Sequence, residues 1–346
     1  MAHALITGAT GFIGPHLAER LLQRGDRVTC LVRKSSNVER LKELGVEFAQ
    51  SDVTDPALAT ALPSVDVVYH LAGLVKALRP AELLRVNEGG TRNLAAALAA
   101  QTQPPVLVVV SSLAAAGTAP DGPAGRARVE VDPPSPVSHY GRSKRAAEVA
   151  AAEFADRLPI TIVRPPIVFG EGDREVLQMI QPIARFGLHM VPGYTTRRFS
   201  LVHAGDLAHG LIQAAERGTR LSSRGKESET GGIQDLGQGV YFIAAAEQPT
   251  YAELGQIIAT ALGKRWYRAV RSPEFVSWMA GGGAQLVSKV RGKPGILNLD
   301  KVTEAVAGSW ICDIGKARQE LDYQPSAPVQ QQMDQTVAWY RERKWL

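Results

Sequence analysis

The sequence predicts an α/β chain: a doubly wound parallel sheet with helices on both faces, followed by a smaller, mostly helical C-terminal part. Three observations carry this. Short apolar runs alternate with helix-periodic segments as far as Arg164. The first of these runs, Ala2 to Thr7, passes directly into a glycine-rich turn and then a helix-periodic stretch. At 346 residues the chain is also long for a single core and suits a large domain plus a smaller one.

The first strand ends at Thr7-Gly8-Ala9-Thr10-Gly11-Phe12-Ile13-Gly14, and Ile13, Leu17, Leu21 and Leu22 mark one face of the helix that follows. Glycines there let the backbone turn tightly and approach a pyrophosphate, and the helix N-terminus turns its free N–H groups toward the same place. The spacing is G-x-x-G-x-x-G, and Gly8, Thr10, Gly11, Phe12, Ile13 and Gly14 are candidate dinucleotide contacts. The second strand, Arg27 to Val32, ends at Arg33-Lys34, with no acidic residue to hold adenosine ribose hydroxyls. Arg33 and Lys34 are candidates for clamping a 2′-phosphate, which favours NADP(H) over NAD(H). Val46 to Gln50 leads to Asp52-Val53, and Val65 to Leu71 leads to Ala72-Gly73. Both set small or polar residues at the carboxyl ends of strands, where open α/β sheets bind ligands.

Val106 to Val110 is an unbroken aliphatic run, suited to a central strand buried on both faces, and it ends at Ser111-Ser112. Tyr140 and Lys144 are four residues apart and share a helix face if the helix through Ala146 to Ala155 extends back to them. A tyrosine is a poor base at neutral pH, but a neighbouring ammonium stabilises its phenolate. With a serine hydroxyl to hydrogen-bond the reacting oxygen, the set suits proton transfer at a carbonyl or alcohol while a cofactor carries the hydride.

In these motifs the chain resembles the extended short-chain dehydrogenase/reductases. The resemblance rests on TGATGFIG (7–14), Asp52-Val53, HLAG (70–73), VNEGGTRNL (86–94), Ser111-Ser112, YGRSK (140–144), RPPIVFGEGD (164–173) and RRFSLVHAGDLA (197–208). It implies a Rossmann-type sheet, with Ser112 as the catalytic serine and Tyr140 as the acid/base. Lys144 would hold the nicotinamide ribose and tune Tyr140. Asn87 matches an asparagine at the cofactor site, and Leu71, Ala72, Gly73, Ser111, Pro166 and Ile167 fall in stretches expected to line it. VTCLVRKSSN (28–37) looks like dihydroflavonol-reductase-like members, and RPPIVFGEGD like 3-beta-hydroxysteroid and sterol dehydrogenases. Sugar-nucleotide epimerases usually carry an asparagine where this chain has Ile167. The resemblance therefore implies an NADP(H)-dependent oxidoreductase that interconverts a ketone and a secondary alcohol on a medium-sized, largely apolar small molecule. A nucleotide-sugar epimerase/dehydratase with tightly held NAD, and a non-catalytic NADP-binding sensor or scaffold, stand as alternatives. Family members often form homodimers through the helices flanking the site, here Arg92 to Ala100 and Lys144 to Phe154.

Composition narrows the classes further. Net charge is +5, with cations read as scattered, so no nucleic-acid partner is expected. Two cysteines, Cys30 and Cys312, and seven unclustered histidines imply no metal site and no disulfide framework. No apolar run approaches about 18 residues, so no stable membrane insertion is expected. The strand at the very start, with no leader before it, favours a cytoplasmic protein.

The domain reading gives 1–170 to the dinucleotide, with 197–217 and 240–246 packing back on it, and 171–346 to the substrate. Strands are expected at Ile160 to Val163, Arg197 to Val202 and Val240 to Ala244, and helices at Leu177 to Phe186, Asp206 to Arg217, Thr250 to Leu262 and Gln330 to Trp345. Thr250 and Glu253 form a capping-box pattern. Gly218 to Gln238 is polar and aperiodic, a long loop or flexible insertion. Phe275 to Val290 is a candidate lid; its apolar residues suit a pocket roof, a packed helical seam or a weak surface-binding helix.

Overall fold

Seven parallel strands follow one another through the chain with helices packed between them. The first half runs β1 (His3–Thr7), α1 (Ile13–Gln23), β2 (Arg27–Val32), α2 (Glu39–Glu43), β3 (Glu47–Gln50), β4 (Val67–His70), α3 (Pro80–Leu84), α4 (Gly90–Ala99), β5 (Val106–Val110), α5 (Leu113–Ala116), α6 (His139–Ala152) and β6 (Ile160–Arg164). The second half runs β7 (Ile167–Phe169), α7 (Arg174–Phe186), β8 (Leu188–Pro192), β9 (Leu201–His203), α8 (Ala204–Arg217), β10 (Lys226–Glu227), β11 (Ile233–Asp235), β12 (Val240–Phe242), α9 (Tyr251–Ala261), β13 (Arg268–Ser272), α10 (Glu274–Arg291), α11 (Leu299–Ala307), α12 (Gly315–Leu321) and α13 (Val329–Glu342). This computed structural model describes all residues except 121, 123, 124, 223–225, 228–232, 236, 237, 294, 296 and 297.

The main sheet has the order β12-β6-β5-β4-β1-β2-β3. Strand order reverses between β1 and β4, so the crevice at their carboxyl ends is the ligand position of a doubly wound sheet. Thr7 and His70 are register partners there. The Thr7 hydroxyl meets His70 Nδ1 at 2.7 Å and Thr91 meets Nε2 at 2.9 Å, which ties β1, β4 and α4 together. Burial pushes the His70 imidazole down to about 3, with Lys144 acting in the same direction, so it serves as a neutral strut.

Each face of the sheet has its own core. One packs Leu17 and Leu21 of α1, Leu207 and Leu211 of α8 and Leu321 of α12 against Ile6, Tyr69 and Val108. The other packs Leu94 and Leu98 of α4 and Ala151 of α6 against Leu5, Val68 and Leu107. Each fully buried leucine here contributes about 1.5–3 kcal/mol. A third cluster joins α7, α9 and α13 through Ile180, Ile258, Met333 and Val337. The Thr250–Glu253 capping box forms in both directions at the start of α9.

Two expectations change. The strand expected over Arg197 to Val202 is confined to β9, because Arg197 and Arg198 turn aside into other contacts: Arg197 ion-pairs Glu274, and the Arg198 carbonyl accepts from Trp310 N. The polar stretch 218–238 holds the short antiparallel pair β10 and β11 rather than loop alone; the rest of its middle lies outside the described residues. The 275–290 segment turns most of its large apolar residues outward. It forms α10, with Gly281 and Ser288 buried and Phe275, Met279, Leu286 and Val290 exposed. Its inward face is made of small residues because α11 lies so close: a Cβ on Gly281 would stand 2.6 Å from Val302. Among the described residues no helix is long and apolar enough to cross a membrane, and no group of His, Cys, Asp or Glu is arranged to hold a metal.

Candidate active site

The glycine turn forms a cradle at the end of β1. Gly8 has φ +71°, and a Cβ there would stand 2.5 Å from Ala72 N, so only glycine lets β1 turn beneath the end of β4. A Cβ on Gly14 would fall 2.2 Å from the Ala9 carbonyl oxygen, so glycine is required for α1 to start against the turn. Gly11 N donates to Gly8 O at 3.0 Å and closes it. Thr10 and Gly11 are exposed, Phe12 and Ile13 half-buried. No side chain caps α1, and its first turn holds no acidic residue. Its N–H groups and the positive end of its dipole thus face the cradle with no carboxylate to repel an anion, which fits a pyrophosphate.

Arg33 and Lys34 lie exposed beyond β2. An Arg33 guanidinium nitrogen is 4.0 Å from the Asp52 carboxylate. Burial acts to raise the Asp52 carboxyl, but bonds from Thr54 N and Oγ1, both 2.8 Å, and the charges of Arg33 and Arg85 outweigh it and hold the group below the usual range. Asp52 is therefore an anion placed to orient Arg33. Val53 turns inward against Gly90, where a Cβ would stand 2.8 Å away, so its side chain packs in the core. Leu71 and Ala72 are half-buried and bond back to Thr7, while Gly73 is exposed beside Asn87 and Lys144.

Ser112 ends β5 in extended backbone and caps α5, accepting from Ala114 N at 3.1 Å. Tyr140 stands at the first turn of α6. Burial pushes its phenol up; Lys301 and Ser112 act in the opposite direction. Lys144 is buried one turn later and donates to the Val110 carbonyl at 2.6 Å. Burial brings its ammonium down to about 8, with Glu148 resisting, so it remains mostly charged at neutral pH. Asn87 is buried, exchanges bonds with Leu74 N and O at 2.7 and 2.9 Å, and donates to Ser143 at 2.8 Å. It thereby fixes the loop after β4 against α6.

A cation lies over the Tyr140 ring: Lys301 of α11, whose ammonium is 5.3 Å from the centroid. Burial acts to lower the Lys301 ammonium, but Glu304, 2.8 Å away, outweighs it and keeps Lys301 charged. Ser111, expected at the cofactor, donates its hydroxyl to Glu148 at 2.6 Å. Glu148 is also paired with Arg164 through two bonds of 2.7 Å, so the Ser111 side chain belongs to a buried structural network. Pro166 and Ile167 are half-buried, with Ile167 in β7 opposite Leu201.

Sequence reasoning set Val302 to Val306 beside the 275–290 segment but gave Asp300, Lys301 and Glu304 of α11 no role. Asp300 accepts from His139 N at 2.7 Å and Tyr140 N at 3.1 Å, and Glu304 accepts from the Ser138 hydroxyl at 2.6 Å. These bonds satisfy free N–H groups of α6 from a distant helix. Asp300 and Glu304 at i and i+4 mark one face of a helix, but nothing local to them names its target. Lys76 and Glu175, 3.6 Å apart, join the loop after β4 to α7. A cavity of about 80 Å³ lined by Val191, Phe199, Tyr251 and Ala305 is too small for a medium-sized ligand.

The sequence profile of the NAD dependent epimerase/dehydratase family matches residues 4–225. The chain belongs to that family. A ceramide reductase of Caulobacter vibrioides is 31% identical over 343 residues, 99% of this chain and 95% of its own length. A 3 beta-hydroxysteroid dehydrogenase/Delta 5-->4-isomerase of Mycobacterium tuberculosis is 26% identical over 358 residues, 98% of this chain and 90% of its own. Among solved structures, gox2253 superposes with a TM-score of 0.75 at 26% identity, covering 98% of each chain. With reductases and dehydrogenases as its full-length relatives, this family member is an NAD(P)-dependent oxidoreductase of the extended short-chain dehydrogenase/reductase type.

Proposed function

We propose that the protein is an NADP(H)-dependent oxidoreductase that interconverts a ketone and a secondary alcohol on a medium-sized, largely apolar substrate. The observation that carries this is Tyr140 with an ammonium over its ring and Ser112 acting on its phenol, at the carboxyl edge of the sheet that also holds the glycine cradle. Gly8, Thr10, Gly11, Phe12, Ile13 and Gly14 would hold the pyrophosphate, Arg33 and Lys34 the 2′-phosphate, and Lys144 and Asn87 the nicotinamide side. The nicotinamide, when bound, supplies the hydride in reduction and accepts it in oxidation.

The chain's own residues manage the proton. Ser112 donates to the substrate oxygen and keeps it near Tyr140. Tyr140 gives its proton to that oxygen in reduction and takes it back in oxidation. Lys301 stabilises the phenolate by charge, and Lys144 adds a second ammonium one helical turn away. Ile167 offers a substrate no hydrogen bond from its side chain, and two full-length relatives are named for ceramide and for a 3 beta-hydroxysteroid, both largely hydrocarbon. Both facts support an apolar substrate.

The test is NADPH consumption with a panel of long-chain and polycyclic ketones. Turnover that depends on the ketone, with cofactor exchanging freely, is the expected result. A purified protein that releases stoichiometric NAD on denaturation and turns over none of the panel would contradict the reading and favour a nucleotide-sugar epimerase.

A further inference from the structure

Helix α10 has its side chains the wrong way round for a helix that faces water. Its inward face is Gly281 and Ser288, while Phe275, Met279, Leu286 and Val290 are 62, 71, 66 and 88% exposed. Their spacing of four, seven and four residues puts them on one stripe. A surface helix ordinarily buries such a stripe, and no described element covers this one. The preceding structure continues the pattern. β13 leads into α10 through Pro273, its partner β8 exposes Leu188 and Met190, and Trp266 and Tyr194 are exposed as well.

The charge of this region is equally one-sided. From Lys264 to Lys293 there are seven cationic side chains (Lys264, Arg265, Arg268, Arg271, Lys289, Arg291 and Lys293) against one carboxylate, Glu274. That is a net of +6, when the whole chain carries +5. Seven of the chain's 39 cations thus fall in this stretch, hidden from a run-based reading because other residues separate them. Glu274 is itself occupied by Arg197 at 2.5 Å. No acidic residue follows between Phe275 and Lys293.

We propose that the outward face of α10 seats in the headgroup layer of an anionic lipid bilayer, with Phe275, Met279, Leu286 and Val290 reaching the acyl boundary and the flanking cations meeting lipid phosphates. An apolar stripe bordered by cations is the chemistry of an interfacial helix. A second copy of the chain is a poor occupant, since it would bring two surfaces of net +6 together. The docked face is also one helix away from the reaction. α10 packs on α11 at Gly281 and Val302, and α11 delivers Lys301, Asp300 and Glu304 to Tyr140. An enzyme held this way meets lipid-soluble molecules at the membrane rather than from water.

The experiment uses the full chain without substrate, so its outcome is separate from the reading of the reaction. The protein is sedimented with vesicles of phosphatidylcholine alone and of phosphatidylcholine mixed with phosphatidylglycerol. Retention on the mixed vesicles at least tenfold above the neutral ones, falling as salt is raised, is the expected result. The double variant M279Q/L286Q should lose at least tenfold of that retention with an unchanged unfolding midpoint, because both residues are exposed. K289Q/R291Q/K293Q should lose the dependence on anionic lipid. The proposal is overturned by no retention on anionic vesicles, by equal retention of M279Q/L286Q, or by a concentration-dependent dimer that M279Q/L286Q abolishes.

Discussion

Tyr140 carries an ammonium over its ring that comes from α11, the Lys301 side chain. Replacing Tyr140 by phenylalanine should reduce turnover by about 10²- to 10⁴-fold, the usual contribution of a positioned acid/base, with cofactor affinity unchanged by fluorescence titration. Lys301 sets a second prediction. Removing its charge destabilises the phenolate, so Lys301→Met should move the acid/base step to higher pH. Alcohol oxidation, which needs the phenolate, should then rise later on the alkaline side, and ketone reduction, which needs the phenol, should persist further. Lys301→Arg should restore the wild-type profile, and pH–rate curves in both directions check this. Arg33→Ala should weaken NADPH about ten- to a hundredfold and NADH much less, since a charge-assisted contact is worth about 1.5–3 kcal/mol; equal losses would remove Arg33 from the 2′-phosphate. The strand end before Ser112 and the helix turn that Tyr140 and Lys144 share were legible in the sequence because both are local features. Lys301 was not, because only the packing of α11 against α6 brings it there.

At the scale of elements, α6 is anchored at both ends by groups that a linear reading separates. Its N-terminus is satisfied by Asp300 and Ser138, and its buried face by the pair of Glu148 with Arg164. Arg164→Met would remove two bonds of 2.7 Å from a fully buried carboxylate and leave it with Arg145 and Ser111, and denaturant unfolding at neutral pH should show a loss of about 1–3 kcal/mol. The pH dependence follows from the same pair. Burial acts to raise the Glu148 carboxyl, but Arg164, helped by Arg145 and Ser111, outweighs it and the folded value lies below the unfolded one. Its stabilisation is therefore present above about 4.3, the unfolded value, and is lost as pH falls through the folded one. The stability gap between wild type and Glu148→Gln should shrink on that acid side, as measured by unfolding at stepped pH. The strands and helices of the sheet were readable because each carries its own period, as in Val106 to Val110 or Leu17 and Leu21. α10 was read for what its apolar residues could cover, and the structure turns them outward, because a glycine-lined inner face lets α11 approach so closely.

At the scale of the whole molecule, a seven-stranded parallel sheet places the glycine cradle, Ser112 and Tyr140 at one edge, and α11 bonds to the start of the helix that carries Tyr140. The sheet was visible in the order of the motifs; the contact with α11 was not, because it joins residues far apart in sequence that share no pattern. The proposed division of labour is a proton relay in the protein and a hydride on an exchangeable cofactor. Single-turnover reduction of an apolar ketone with NADPH deuterated at nicotinamide C4 tests that division most directly. The account predicts one deuterium on the carbinol carbon of the product and a stoichiometric release of oxidised cofactor. A product without deuterium, or an isomerised substrate with the cofactor returned to its starting state, would contradict it.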